Sequence, residues 1–214
     1  ATLNISVPNV SDVYIVSSTA KGGDPEAAAF VDWLTNNVSE VELGTVAVNE
    51  YETLGAIPPA VAGDLVVFLR TLNNGAYDET GEPAAWNNLE AGILMLSPFQ
   101  PDDDNLGWVT TTAQNDLTSP VGAETAVADT NDTLFAGVTI TNGSADLITD
   151  GIVYKAAQAA GLASSNLVGT ADTGSSVVLA RIPAGSAWNA SGAAGAPSGT
   201  HAGDRIVFNF LRNP

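Results

Sequence analysis

Cysteine is absent from this 214-residue chain and histidine occurs once, so disulfides, thiolate metal centres and thiol nucleophiles are excluded, and a typical zinc site lacks ligands. Cations are nearly as scarce. Lys21, Lys155, Arg70, Arg181, Arg205 and Arg212 face 24 acidic residues, leaving a net charge of −18. That charge repels phosphate backbones and anionic headgroups, which disfavours nucleic-acid and membrane-surface binding. No run of about 18 apolar residues is present, so membrane insertion through an apolar helix is not expected. No Gly-x-Gly-x-x-Gly or Walker sequence follows a candidate strand, which removes the usual nucleotide cradles.

What is there is an acidic chain rich in Ala, Gly, Thr, Asn and Val and 45% hydrophobic. It is long enough to bury a core as one domain over 1–214, with no linker or low-complexity tract to divide it. Within that domain, 1–11 reads as an N-terminal arm or edge strand, 12–112 as an α/β core, and 113–214 as a β-rich completion of the sheet. An acidic surface stays soluble at high ionic strength, and the chain starts at Ala1 without methionine. Together these point to a secreted or cell-surface protein whose leader has been removed. Sequons at Asn4, Asn9, Asn37, Asn131, Asn142 and Asn189 would permit surface glycans.

The clearest element runs from Asp64 to Phe99. Leu65–Leu69 and Ile93–Leu96 are unbroken apolar runs of strand length, as expected of strands covered on both faces in a parallel sheet. Between them Pro83 suits a first helical turn, Trp86 and Leu89 recur at helical spacing, and Gly92 can end the helix. This predicts a βαβ unit. Upstream, Val13–Val16 reads as a strand, Asp24-Pro25-Glu26 as a helix start, and Ala27, Phe30, Val31 and Leu34 as an apolar helix stripe; Val41–Val48 alternates as a second strand. The order βαβ(α)βαβ predicts a doubly wound, mostly parallel sheet in a three-layer, flavodoxin-like α/β sandwich. Downstream, Gly107–Thr110 and Leu134–Ile140 are expected as strands, Ile152–Ala160 as a helix, and Asn166–Thr170 and Val177–Ile182 as strands joined by a turn. Gly185–Gly203 is expected as a surface loop, and Arg205–Leu211 as a closing strand.

The Asp-Leu-Val-Val-Phe strand, the Asn-Gly loop, the Pro-Ala-Ala-Trp-Asn helix and the Ile-Leu-Met-Leu-Ser strand end resemble the ThuA-like branch of the class I glutamine amidotransferase-like fold. Leu134-Phe135-Ala136-Gly137-Val138 and Gly203–Phe208 are similar to that group's closing segments. The resemblance implies a nucleophile elbow after Leu96, where amidotransferases carry a glycine-flanked cysteine. Here Ser97-Pro98-Phe99 stands instead, with no flanking glycine and with Pro98 unable to donate an N–H.

Chemistry is therefore sought among few candidates. The carboxyl ends of parallel strands are where ligands gather. There Arg70, Asn73, Asn74, Tyr77, Asp78 and Trp86 form an Arg, amide and aromatic set suited to a polar or glycan ligand. A Ser97/His201 dyad assisted by Asp78 is the weak catalytic candidate, against a reading of Ser97 as a turn residue and His201 as a surface residue. Asp172-Thr173-Gly174-Ser175 matches the aspartic-protease signature, but no second copy exists to share a proton, and the same residues make a hairpin turn. Asp102, Asp103 and Asp104, or Asp129 and Asp132, offer hard oxygens to calcium without calcium-loop spacing. Leu3, Ile5 and Val7 alternate with polar residues and give the arm one apolar face. The missing catalytic set weighs against an enzyme. It favours a secreted structural or self-assembling protein, a homo-oligomer or filament building block; the alternative is an extracellular hydrolase or carbohydrate-binding protein using the pocket around Arg70, Asp78 and Ser97.

Overall fold

The computed structural model describes residues 12–17, 25–37, 45–49, 51, 54–69, 72, 75–111, 114–117, 124–127, 130–146, 154–171, 174–208 and 211–212. The arm residues Leu3, Ile5 and Val7, together with Arg70, Asn73 and Asn74, lie outside them. In chain order the elements are β1 (Val13–Val16), α1 (Pro25–Asn37), β2 (Val46–Asn49), β3 (Leu65–Phe68), α2 (Glu82–Asn87), β4 (Gly92–Met95), β5 (Gln114–Leu117) and β6 (Glu124–Val127). Then follow β7 (Ile140–Thr141), β8 (Ser144–Asp146), β9 (Tyr154–Gln158), β10 (Leu167–Ala171), β11 (Ser176–Ile182), β12 (Ala187–Asn189), β13 (Ser198–Thr200), β14 (Arg205–Phe208) and β15 (Leu211–Arg212).

The predicted βαβ unit is present: β3 and β4 are parallel, with Val66 beside Ile93 and Phe68 beside Met95, and α2 crosses between them. Period-two alternation sorts their side chains. Val66, Phe68, Ile93 and Met95 pack with Trp86 of α2 on one face. On the other, Val67 and Leu94 pack with Phe30, Val31 and Leu34 of α1, the stripe read from the sequence. Pro25 opens α1, where its missing N–H costs nothing.

Beyond this unit the expected flavodoxin-like sandwich is overturned. All the described strands but β12 and β13 form one mixed sheet with the order β2-β1-β3-β4-β14-β11-β10-β6-β8-β7, extended through β9, β5 and β15. Only α1 and α2, of 13 and 6 residues, are α-helical among the described residues. A doubly wound fold needs a covering helix between successive strands, and the polar chain after β4 supplies no apolar helical stripe. It returns instead through antiparallel strands. The two patterns meet at β14, which is parallel to β4 and antiparallel to β11.

Local expectations shift with it. Residues 154–158 of the expected helix form β9, because this segment pairs with β5, β11 and β15, and sheet pairing overrides its alanine-rich helix propensity. Gly107–Thr110 is a bend region rather than a strand. Thr133–Phe135 is a short 3-10 turn capped by Asp132, whose Oδ1 accepts the Leu134 N–H at 2.8 Å. Asp132 also takes a bidentate bond from Arg181 of β11, fixing that turn to the sheet. β10 and β11 are an antiparallel pair with Ala171 beside Ser176, while Asp172 and Thr173 of the Asp-Thr-Gly-Ser sequence lie outside the described residues. The stretch expected as a surface loop is a packed hairpin, β12–β13, laid over α2, with Trp188, Ala190 and Ala193 buried against Ala84.

Candidate functional site

The carboxyl ends of the parallel strands are built by the segment between β3 and α2. Tyr77 holds a left-handed backbone, φ 73°, a conformation costing an aromatic residue roughly 1–2 kcal/mol. Packing maintains it: Tyr77 is fully buried, with its ring 5.3 Å from Phe68 and 5.9 Å from Trp86, and Phe68 and Trp86 sit edge to face at 4.8 Å. Tyr77 and Trp86, read from the sequence as ligand-facing, are therefore the centre of the core. Neither offers surface to a ligand.

Beneath them lies a carboxyl group that the sequence reading missed. Glu82, the first residue of α2, has no exposed surface. Its Oε2 accepts the Glu79 N–H at 3.3 Å and its Oε1 accepts the Trp86 indole N–H at 3.4 Å. Burial, resisted by those two bonds and reinforced by the negative charge of Glu79 and Asp78, pushes its pKa up to about 7. A folded value above the ordinary 4.5 means that the unfolded chain releases this proton first as pH rises. Glu82 thus weakens stability progressively between pH 4.5 and 7, and by a constant amount above that. The Glu82→Gln variant keeps the shape without the charge. Thermal melts from pH 4 to 8 should show it gaining on the native chain across this window, with the difference levelling off above it; a difference independent of pH would show that folding leaves the Glu82 pKa unchanged.

Ser97, Asp78 and His201 are not assembled into a dyad or triad. Ser97 follows β4 and His201 precedes β14, and because these strands are parallel, with Arg205 beside Ile93, the two residues lie off opposite ends of the pair. Ser97 is fully buried, and its hydroxyl donates to Gln100 Oε1 and accepts the Phe99 N–H at 3.3 Å, closing a turn. Asp78 is half-buried, and its carbonyl accepts the Ala194 N–H at 3.1 Å, tying the loop to the β12–β13 hairpin.

The opposite end carries a second polar centre at the C-terminus of α2. Asn87 is its hub: its Nδ2 donates to Leu106 O at 2.8 Å, its Oδ1 accepts the Trp108 indole N–H at 2.7 Å, and its carbonyl accepts Ala202 N–H and Arg205 Nη2. Arg205 is fully buried. Its Nη1 donates to Ala91 O and Asp204 O, its Nη2 to Asn87 O and Leu89 O, and its guanidinium carbon lies 6.0 Å from the Trp108 ring centre. Carbonyls left over at a helix end are natural partners for such a cation. His201, expected at the surface, is 2% exposed; its ring meets Trp108 edge to face at 5.6 Å, and neither ring nitrogen has a hydrogen-bond partner. Burial, together with the Arg205 charge, lowers its pKa to about 3, so it is neutral at physiological pH. Imidazole, indole and guanidinium here serve packing and capping.

The acidic run diverges. Asp102 is 2% exposed, Asp103 is partly buried with Oδ2 accepting the Ser191 hydroxyl at 2.8 Å, and Asp104 is exposed. The loop is drawn tight by Gly107, φ 69°, whose N–H bonds Asp102 O at 2.7 Å and which backs directly onto the Asn189–Ala190 main chain. Among the described residues no three carboxylate or imidazole groups converge to hold a metal ion, so the calcium expectation gains no preformed site. An open groove of about 560 Å³ lies elsewhere, lined by Leu162, Leu167 and Ala159 together with the polar Gln158, Ser164 and Ser175.

No helix among the described residues is long and apolar enough to cross a membrane. No family model, curated protein or solved structure matches the chain.

Proposed function

We infer that the protein is an exported, non-catalytic building block that associates with copies of itself. The supporting observation is a division of labour among its side chains. Among the described residues, Glu82, Ser97, His201 and Arg205 are committed to the interior at two separate ends of the parallel sheet. The large apolar groups left at the surface include Trp33, 41% exposed, and Val48, 40% exposed, on α1 and on the outermost strand β2. Exposed apolar surface on a sheet edge suits protein association better than it suits turnover of a small molecule.

The net charge of −18 sets the condition. Copies repel one another at low ionic strength, and raising sodium chloride from about 0.01 M to about 1 M shortens the screening length from roughly 30 Å to roughly 3 Å. Light scattering should then show particle mass rising with salt, and electron microscopy should show filaments or rings. Calcium at matched ionic strength would add to this only by bridging carboxylates. A monomer at every salt concentration would overturn the reading.

A further inference from the structure

β2 is paired on one side only among the described residues. The Val13 N–H bonds Thr45 O, and a parallel ladder repeats every two residues, so Thr45, Ala47 and Asn49 turn their main-chain groups toward β1. Val46 and Val48 turn theirs outward. The same two valines share the α1 face of the sheet: Val46 packs with Phe30 and Val31, while Val48, like Trp33, remains substantially exposed. Natural edge strands are commonly blunted by charge or proline. In a chain with 24 acidic residues, Val-Ala-Val-Asn has neither.

One segment of the sequence fits this edge. Residues 1–11 carry no charged side chain, and Leu3, Ile5 and Val7 alternate with Thr2, Asn4 and Ser6. Added as a strand, this segment would satisfy the outward groups of Val46 and Val48 and lay its apolar face beside Val48. Uncharged arm on uncharged edge also avoids the repulsion that opposes contact elsewhere on the surface. The arm starts from an inner position. Asp12 is anchored between β2 and β3, its Oδ1 accepting the Thr45 N–H at 2.6 Å and its carbonyl accepting the Leu65 N–H at 3.0 Å. An arm turning back onto its own β2 would have to step across the end of that strand within Pro8–Ser11, where Pro8 has a fixed φ and no N–H.

We propose that the β2 edge of one copy receives residues 2–7 of a second copy as an added strand. Each copy then gives one arm and offers one edge, a head-to-tail contact that grows into a filament unless its rotation closes a ring. This rests on the self-association reading above, and full-chain variants separate the two. Ile5→Asp spoils the arm but keeps the edge; Val48→Lys spoils the edge but keeps the arm, at a position exposed enough to accept lysine. By light scattering coupled to size exclusion at high salt, each variant alone should be a monomer with the native circular dichroism spectrum. An equimolar mixture should give a dimer and nothing larger, since only one competent arm and one competent edge remain to meet. A mixture that stays monomeric, or either variant assembling as the native chain does, overturns the arm-and-edge contact while leaving self-association standing. A native chain that is monomeric throughout, with both variants melting earlier, places the arm on its own edge and overturns both.

Discussion

Replacing Arg205 by methionine should cost on the order of 3–5 kcal/mol, a large part of the stability of an ordinary domain. Methionine fills much of the volume, so the loss is mainly one of hydrogen bonds. Of the four carbonyls that Arg205 binds, Asn87 O keeps the Ala202 N–H and Asp204 O keeps the Ile93 N–H, whereas Leu89 O and Ala91 O lose their donor. Each buried group left unsatisfied costs about 1–3 kcal/mol, and partial relaxation keeps the total below the sum. The damage should spread, because Asn87 O also takes the Ala202 N–H that fastens the hairpin to α2. Arg205→Lys keeps the charge, but an ammonium cannot span carbonyls on both sides as a guanidinium fork does, so an intermediate loss is expected. Urea midpoints of the three proteins measure this. A methionine variant within about 1 kcal/mol of the native chain would mean that water reaches these carbonyls readily.

Trp86→Ala should be comparably damaging, about 3–5 kcal/mol, as for other buried aromatics cut to alanine. Its indole is fully buried and fills the space between Phe68 of β3 and Tyr77. Removing it opens a cavity, forfeits two edge-to-face contacts and withdraws the N–H that Glu82 accepts. Tyr77 is held in its left-handed conformation by the same packing, so the loop from Gly75 to Thr80 should become protease-sensitive. Trp86→Phe keeps a ring but not the N–H. It should lose less stability than alanine and raise the Glu82 pKa further, which a pH series of melts would register. Equal melting of the alanine variant and the native chain would remove Trp86 from the centre of the core.

Where the sequence pattern was dense, structure followed it. Leu65–Phe68, Ile93–Met95 and the Phe30, Val31, Leu34 stripe are legible because an apolar run or a helical period admits few placements. The second half was misread where pairing outweighed local preference, as at Tyr154–Gln158, which lies among three strands distant in sequence. The burial of His201 and Trp188 was hidden by small neighbours. Gly203 lets the main chain approach so closely that a side chain would collide with Glu90 and Ala91, Gly199 lies tight against the Trp188 indole, and such contacts leave no periodic trace. Arg205 had a faint signal. In a chain with six cations, one heading an otherwise apolar strand is better explained by a bond to buried main chain than by a solvated surface.

The position of β14 governs how the molecule can be made. It lies between β4 and β11, yet Arg205 binds a carbonyl 114 residues earlier in the sequence. As the chain emerges during synthesis, β1 to β4 can pair among themselves, but β4 has to wait with one side open until residues 205–208 arrive. β11 waits likewise. The closing step joins two preassembled sheets by inserting a single central strand, so the folding rate should be set by that late, long-range docking. Until then both unfinished edges are available to other chains. Crowding of nascent copies is then a hazard to the yield of native protein.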